Sequence, residues 1–299
     1  MKILIQIPCL NERNQLAHII EDIRSNVTAF DYEMLIIDDG STDDTVNVAK
    51  EQKVDHVVSF KRNMGLGYAF QAGLNFAKEK GYDYLINTDA DNQYQSKYIN
   101  DLCKNILETS NDIVIGARNH SKIKHFSLFK KIFQKLGSWV VRIISGEKIS
   151  DAVSGFRIYS KEAIHSLQVN SQFSYTLDTI LQAKDRNLKI TEIPIEINPP
   201  TRPSRLFKGM FQFIKKQLTI IIKCFIIYKP FEFFSLLALF PFIIGILPVC
   251  RFIYRYSIGE GTGNIQSLIL GSMSILLAFI FISLGIIGFM IKDLRKRKN

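Results

Sequence analysis

Two aspartates two positions apart, Asp89 and Asp91, with Gln93 on the following turn, present the hard oxygen ligands that hold Mg2+ or Mn2+. A cation there can bridge the phosphates of a nucleotide diphosphate and neutralise a departing diphosphate. Asp38-Asp39-Gly40-Ser41 and Pro8-x-x-Asn11-Glu12 supply acceptors for a nucleoside. Asp38 or Asp39 can accept from a ring N–H or a ribose hydroxyl, and Glu12 is placed one strand over for the same group. Arg118, in Gly116-Ala117-Arg118, adds a guanidinium. No P-loop or Gly-x-Gly-x-x-Gly cradle is present, so a metal has to meet the phosphates.

Each group alone has an ordinary explanation, since Ser41 and Thr42 are good helix N-caps and Asp38-Asp39-Gly40 reads as a turn. Their positions favour a site. Strand-like runs at 2–7, 32–37, 54–60, 82–88 and 112–115 alternate with helix-like runs at 15–27, 42–53, 67–80 and 97–107. That order predicts an α/β fold with a mostly parallel sheet and helices on both faces, whose ligand crevice lies at the carboxyl ends of the strands. The polar groups follow strands one, two, four and five. Asn63-Met64-Gly65-Leu66-Gly67 reads as a helix entry.

With 47% apolar and 22% charged residues over 299 positions, the chain is neither disordered nor fibrous. The net charge of +10 is unevenly spread: residues 1–200 carry 24 basic against 25 acidic side chains, and residues 201–230 carry 7 against 0. A neutral domain followed by a purely basic segment points to an anionic membrane surface and away from nucleic acid. Cys9, Cys103, Cys224 and Cys250 have no disulfide or zinc spacing, which fits a reducing compartment. The run at 3–7 is too short for a signal peptide.

Uncharged stretches at 233–250 and 265–291 measure 18 and 27 residues, and roughly 20 suffice to cross a bilayer. Two spans, about 231–254 and 265–291, are expected. The tail after the second is rich in Lys and Arg, so both ends and the first 200 residues are expected in the cytoplasm, at the plasma membrane. Arg251 and Arg255 lie on the opposite side, where they can snorkel to headgroups. Within 201–230, Arg205, Lys208, Lys215, Lys216, Lys223 and Lys229 fall within about 140° of one another at 100° per residue, the pattern of an interfacial helix. Gly271, Gly285 and Gly288 permit close helix contact and so a possible homo-oligomer.

The motifs Pro8-x-x-Asn11-Glu12, Asp38-Asp39-Gly40-Ser41, Asn63-x-Gly65-x-Gly67, Asp89-x-Asp91-x-Gln93, Gly116-x-Arg118, Asp151-x-x-Ser154-Gly155-Phe156-Arg157 and Glu192-x-Pro194 occur in one order. In this the chain resembles the GT-A-fold, family 2 inverting glycosyltransferases, in particular those that act on polyprenyl phosphates. The resemblance implies that Pro8, Asn11, Glu12, Asp38, Asp39 and Asp89 line the nucleotide pocket. It also implies that Asp89, Asp91 and Gln93 hold Mg2+ or Mn2+, and that Arg118, Ser154 and Arg157 face phosphate or acceptor. Asp178 stands where relatives have Glu, one methylene shorter. Arg202, Ser204 and Arg205 replace the relatives' Arg-x-x-Gly-Glu-Ser-Lys.

The implied reaction is a single displacement at the anomeric carbon of a nucleotide sugar, with inversion and an oxocarbenium-like transition state. Asp91, Asp151, Asp178 and Arg157 are the expected catalytic residues. The acceptor is a polyprenyl phosphate or, alternatively, a hydroxyl of a lipid-linked glycan. A membrane-tethered scaffold that binds sugar nucleotides without turnover is the rival from another class, although its metal pair ought to be eroded. Trp139 and the stretch 126–144 read as an amphipathic helix packed on the domain, and His120 and His125 as solvated loop residues.

Overall fold

The computed structural model describes residues 1–118, 146, 149–169, 175–199, 219, 222–223, 225–259 and 265–298. The chain divides into two compact units, Met1–Gln217 and Leu218–Asn299. Arg202, Ser204, Arg205, Trp139, the stretch 126–144, His120 and His125 lie outside the described residues, as does most of the basic segment 201–230.

The first unit is built on β1 (Ile3–Cys9), β2 (Tyr32–Asp38), β3 (His56–Ser59), β4 (Tyr84–Asn87), β5 (Ile113–Arg118), β6 (Arg157–Ser160) and β7 (Ile190–Ile195). They form one sheet in the order β3-β2-β1-β4-β6-β5-β7. The β1–β2, β1–β4, β2–β3 and β5–β7 pairs are parallel, whereas β6 runs antiparallel to both β4 and β5. The helices of this unit are α1 (Arg13–Asn26), α2 (Thr45–Glu51), α3 (Leu66–Lys80), α4 (Tyr98–Thr109), α5 (Lys161–Ser166) and α6 (Tyr175–Asp185).

Every residue of β1 is buried, as expected for a central strand covered on both faces. Its alternation divides the core. Ile3, Ile5 and Ile7 join Leu16, Ile19 and Ile20 of α1 and Ile99 and Leu102 of α4 on one face; Leu4 joins Phe70 and Leu74 of α3 and Tyr175 and Ile180 of α6 on the other. The helix expected at 42–53 is shorter, because the Asp43 carboxylate accepts from the Thr45 backbone N–H at 3.0 Å and holds the entry in a turn. The reversed strand β6 has no counterpart among the strands expected from alternation, being only four residues long and opening on a charged residue.

The second unit contains α7 (Pro230–Ser257) and α8 (Ile265–Lys298). Pro230–Ser257 and Ile265–Leu294 are long and apolar enough to cross a membrane, with mean hydropathy 2.4 and 2.7 and only 17% and 11% burial over their most apolar stretches. The two helices pack at their glycines. A Cβ on Gly245 would stand 2.7 Å from the Gly271 carbonyl oxygen, and one on Gly271 would stand 2.9 Å from that of Gly245. Gly288 packs on Pro230 and Gly285 on Phe231 and Phe234 in the same way, so these glycines are taken up by the contact between α7 and α8. Gly245→Leu is expected to separate the helices and lower hairpin stability by about 1–3 kcal/mol, the usual effect of overpacking; SDS-titrated unfolding of the purified protein measures it.

Candidate active site

Four polar segments meet at the carboxyl end of the parallel strands. After β1 the chain turns through Asn11, whose φ is 55°. Asn11 donates its N–H to Ser41 Oγ (2.8 Å), and its Oδ1 accepts from the Thr42 N–H (2.8 Å). Glu12 donates its N–H to Thr45 Oγ1 at 2.8 Å, and its carbonyl accepts the first bonds of α1. The β1 and β2 termini are therefore tied side to side, with Pro8, Glu12, Asp38 and Asp39 all buried.

Beside them Asp38 Oδ1 accepts from the Ser41 N–H at 3.0 Å. Asp39 holds the entry of α3: its carboxylate accepts from the N–H groups of Met64 (2.7 Å) and Gly65 (2.9 Å). Gly40 allows that approach, since its φ is +75° and a Cβ would lie 2.4 Å from the Arg62 carbonyl carbon. Asn63-Met64-Gly65 is thus part of the site's wall as well as a helix entry.

β4 delivers Asp89 and Asp91. Asp91 Oδ1 accepts from the Gln93 N–H at 3.2 Å, which folds the turn so that both carboxylates and the Gln93 side chain follow one strand end. Loss of water around Asp89 and, second, the negative charge of Asp91 push the Asp89 carboxyl up to about 7, against the opposing pull of Arg118 and Arg157. Two crowded carboxylates of this kind fit a divalent cation, whose charge favours the ionised form that the site otherwise resists. Asp89, Asp91 and Gln93 would hold it.

The opposite wall comes from the loop before β6. Arg118 Nε and Nη2 donate to Asp151 at 2.6 and 3.0 Å, and the Arg118 backbone N–H also reaches Asp151 (3.1 Å). The pair is nearly enclosed, at 13% and 2% side-chain exposure. Glu192 of β7 caps the same loop by accepting from the N–H groups of Ser150 (2.9 Å) and Asp151 (3.0 Å). Asp151, expected as a catalytic residue, is here the counter-ion that orients Arg118, with both its oxygens engaged. Glu192→Gln is expected to weaken that cap and lower turnover about tenfold, since a charged acceptor of two N–H groups is replaced by a neutral one; steady-state kinetics check it.

Two further expectations change. Arg157 does not face a phosphate: it is wholly buried. Its guanidinium donates to the carbonyls of Ser154 (2.8 Å), Thr176 (2.8 Å) and Ala152 (2.9 Å) and to Thr179 Oγ1 (2.9 Å). The register places it opposite Asn87 on β4 and Ile115 on β5, inside the sheet. Ser154 is likewise buried and donates to the Gly116 carbonyl at 2.6 Å. Both hold the loop 151–156 together. Asp178 lies in the first turn of α6, half-buried, between Thr176 and Thr179.

The site also contains residues that motif reading missed. Tyr94 is buried, accepts from the Gly155 N–H at 3.1 Å and stacks on Phe156 at 5.2 Å. Gln6, Asn87 and Tyr175 form a buried polar chain beneath Asp89. The available signal was a lone amide inside each of the apolar runs Ile3–Cys9 and Tyr84–Asn87.

A mostly parallel sheet with paired carboxylates at its strand ends, facing an arginine held by a buried aspartate, defines an enzyme of the GT-A type. The chain belongs to glycosyl transferase family 2, whose model matches residues 4–167, and it is a glycosyltransferase. It is 26% identical over 216 residues to a UDP-N-acetylglucosamine–dolichyl-phosphate N-acetylglucosaminyltransferase of Methanococcus voltae, covering 65% of this chain and 84% of that one. It is 27% identical over 205 residues to an undecaprenyl-phosphate mannosyltransferase of Micrococcus luteus, covering 65% and 83%. Among solved structures it resembles glucosyl-3-phosphoglycerate synthase from Mycobacterium tuberculosis in complex with Mn2+, UDP and glucosyl-3-phosphoglycerate, with TM-score 0.58, 19% identity and coverage of 75% and 78%.

Proposed function

We propose that this chain is a membrane-anchored, inverting glycosyltransferase that moves a sugar from a nucleotide diphosphate donor to a polyprenyl phosphate. The observation that carries the reading is the joining, in one chain, of a crevice lined by paired carboxylates and a nearly enclosed arginine with two helices of membrane-crossing length. The relatives' action on dolichyl and undecaprenyl phosphates supports the same acceptor class.

Glu12, Asp38 and Asp39, fixed against one another, receive the nucleoside. A divalent cation, when held by Asp89, Asp91 and Gln93, supplies Lewis-acid stabilisation of the diphosphate leaving group. Arg118, kept charged and oriented by Asp151, adds a second positive charge to that departing group. A phosphate acceptor, with a second pKa of about 6, is already largely dianionic at pH 7 and attacks without a base. A sugar hydroxyl would need one, and Asp178, in the first turn of α6, is the carboxylate assigned to it. Arg202, Ser204 and Arg205, together with the basic segment around them, would bind the acceptor phosphate at the cytoplasmic face of the plasma membrane.

Purified full-length protein with Mn2+, a panel of nucleotide sugars and either undecaprenyl phosphate or a lipid-linked saccharide decides the matter by mass spectrometry of the lipid product. A sugar phosphodiester is expected. Asp178→Asn is expected to keep most of its activity with the phosphate acceptor; a fall of about 10²–10⁴-fold, the usual size of a general-base contribution, would instead assign the hydroxyl acceptor. A chain that binds a sugar nucleotide but turns over none of the panel would be the scaffold of the rival reading.

A further inference from the structure

The polar chain beneath Asp89 is buried, yet it connects the elements that carry the site. Gln6 lies in the middle of β1 and Asn87 at the end of β4, and neither is exposed at all. Gln6 Nε2 donates to Asn87 Oδ1 at 2.8 Å. Asn87 Nδ2 then donates twice, to the Gly155 carbonyl at 2.8 Å and to the Tyr175 hydroxyl at 2.9 Å. One amide thus binds β1, β4, the loop before β6 and the first turn of α6.

Two residues beyond Asn87 comes Asp89. Its carboxylate packs on Gly155 so closely that a Cβ there would stand 3.0 Å from Asp89 Oδ1 and 2.5 Å from the Tyr175 hydroxyl. On the same loop as Gly155 lies Asp151, the counter-ion of Arg118. The fit is bought with a liability elsewhere, because Gln6 Oε1 is buried without a hydrogen-bond partner among the described residues. It fits only because position 73 is glycine, where a Cβ would fall 1.5 Å from that oxygen. Two apolar side chains would fill this space without an unpaired acceptor, so packing alone does not account for the amides.

We propose that Asn87 is a positioning residue for the transfer reaction, fixing where the loop 151–156, and with it Asp151 and the Arg118 it orients, stands relative to the Asp89 carboxylate, by holding Gly155 and Tyr175 at once. Gln6 sets the orientation of the Asn87 amide so that its N–H groups point toward Gly155 and Tyr175. The proposal rests on the glycosyltransferase reading above.

The test compares full-length wild type with Gln6→Leu/Asn87→Leu and with Tyr175→Phe, using the donor and acceptor found for the wild type. The double variant removes both amides together, so the core keeps an apolar pair of similar size. Each variant is expected to retain a donor KM and an Mn2+ activation constant within about threefold of wild type. The expected fall in kcat is about 10²-fold for the double variant, the scale of a misplacement near 1 Å, and about tenfold for Tyr175→Phe. A folded double variant with wild-type kcat overturns the proposal, as does a loss confined to KM or to Mn2+ activation. Should the double variant not fold, Tyr175→Phe decides alone, an unchanged kcat overturning the proposal. Absence of turnover by the wild type on every donor and acceptor would sink the functional reading itself, which separates the two failures.

Discussion

Asp89→Asn is expected to reduce turnover about 10³-fold while leaving the protein no less stable than wild type at pH 8. The first effect follows from losing a charged ligand to the cation that meets the diphosphate, worth several kcal/mol in the transition state. The second follows from linkage. The folded-state carboxyl of Asp89 is pushed up to about 7 from an ordinary 3.8, so the folded protein holds its proton more tightly than the unfolded chain does. Stability from this group is therefore full below pH 4 and is lost as pH rises toward 7. Asparagine removes a charge that is resisted at pH 8. Thermal unfolding with and without Mn2+ checks the pair of effects: the cation should raise the melting temperature of the wild type and leave that of Asp89→Asn unmoved. Because a proton competes with the cation, the Mn2+ activation constant of the wild type should worsen about tenfold per pH unit below 7.

Arg157→Leu is expected to cause the largest loss of stability of any single change at the site, about 3–5 kcal/mol, equivalent to roughly 10 °C in the melting temperature of a unit of this size. Leucine would leave the buried carbonyls of Ala152, Ser154 and Thr176 without the donors they have now. The loop 151–156 and the first turn of α6 would lose their common anchor, and activity should fall with stability. Arg157→Lys is expected to recover little, since a point ammonium cannot reach three carbonyls in a plane. Thermal melts of the two variants, followed by tryptic digestion at 25 °C, measure it.

The strand-then-helix order through α4 was legible because each strand is a short apolar run and each helix carries its period, as in Ile3–Cys9 and Arg13–Asn26. The clustering of Glu12, Asp39 and Asp89 followed from the crevice rule alone. Arg157 was expected to face phosphate because the family resemblance carries that role onto the motif Asp151-x-x-Ser154-Gly155-Phe156-Arg157. The hydrogen bonds of the fold show instead that the guanidinium turns onto the loop 151–156 and the first turn of α6, where main-chain carbonyls receive it. Asn87 and Gln6 escaped notice for a related reason: an amide in a strand is informative only once its partner, 81 positions away, is known.

The antiparallel β6 has a consequence for how such an enzyme diversifies. Because β5 ends and β6 begins at the same rim, Arg118 and Arg157 belong to neighbouring strand ends despite their distance in sequence. The length of chain joining them can vary while every strand keeps its neighbours, provided Asp151, Ser154 and Gly155 keep the bonds they make at the rim.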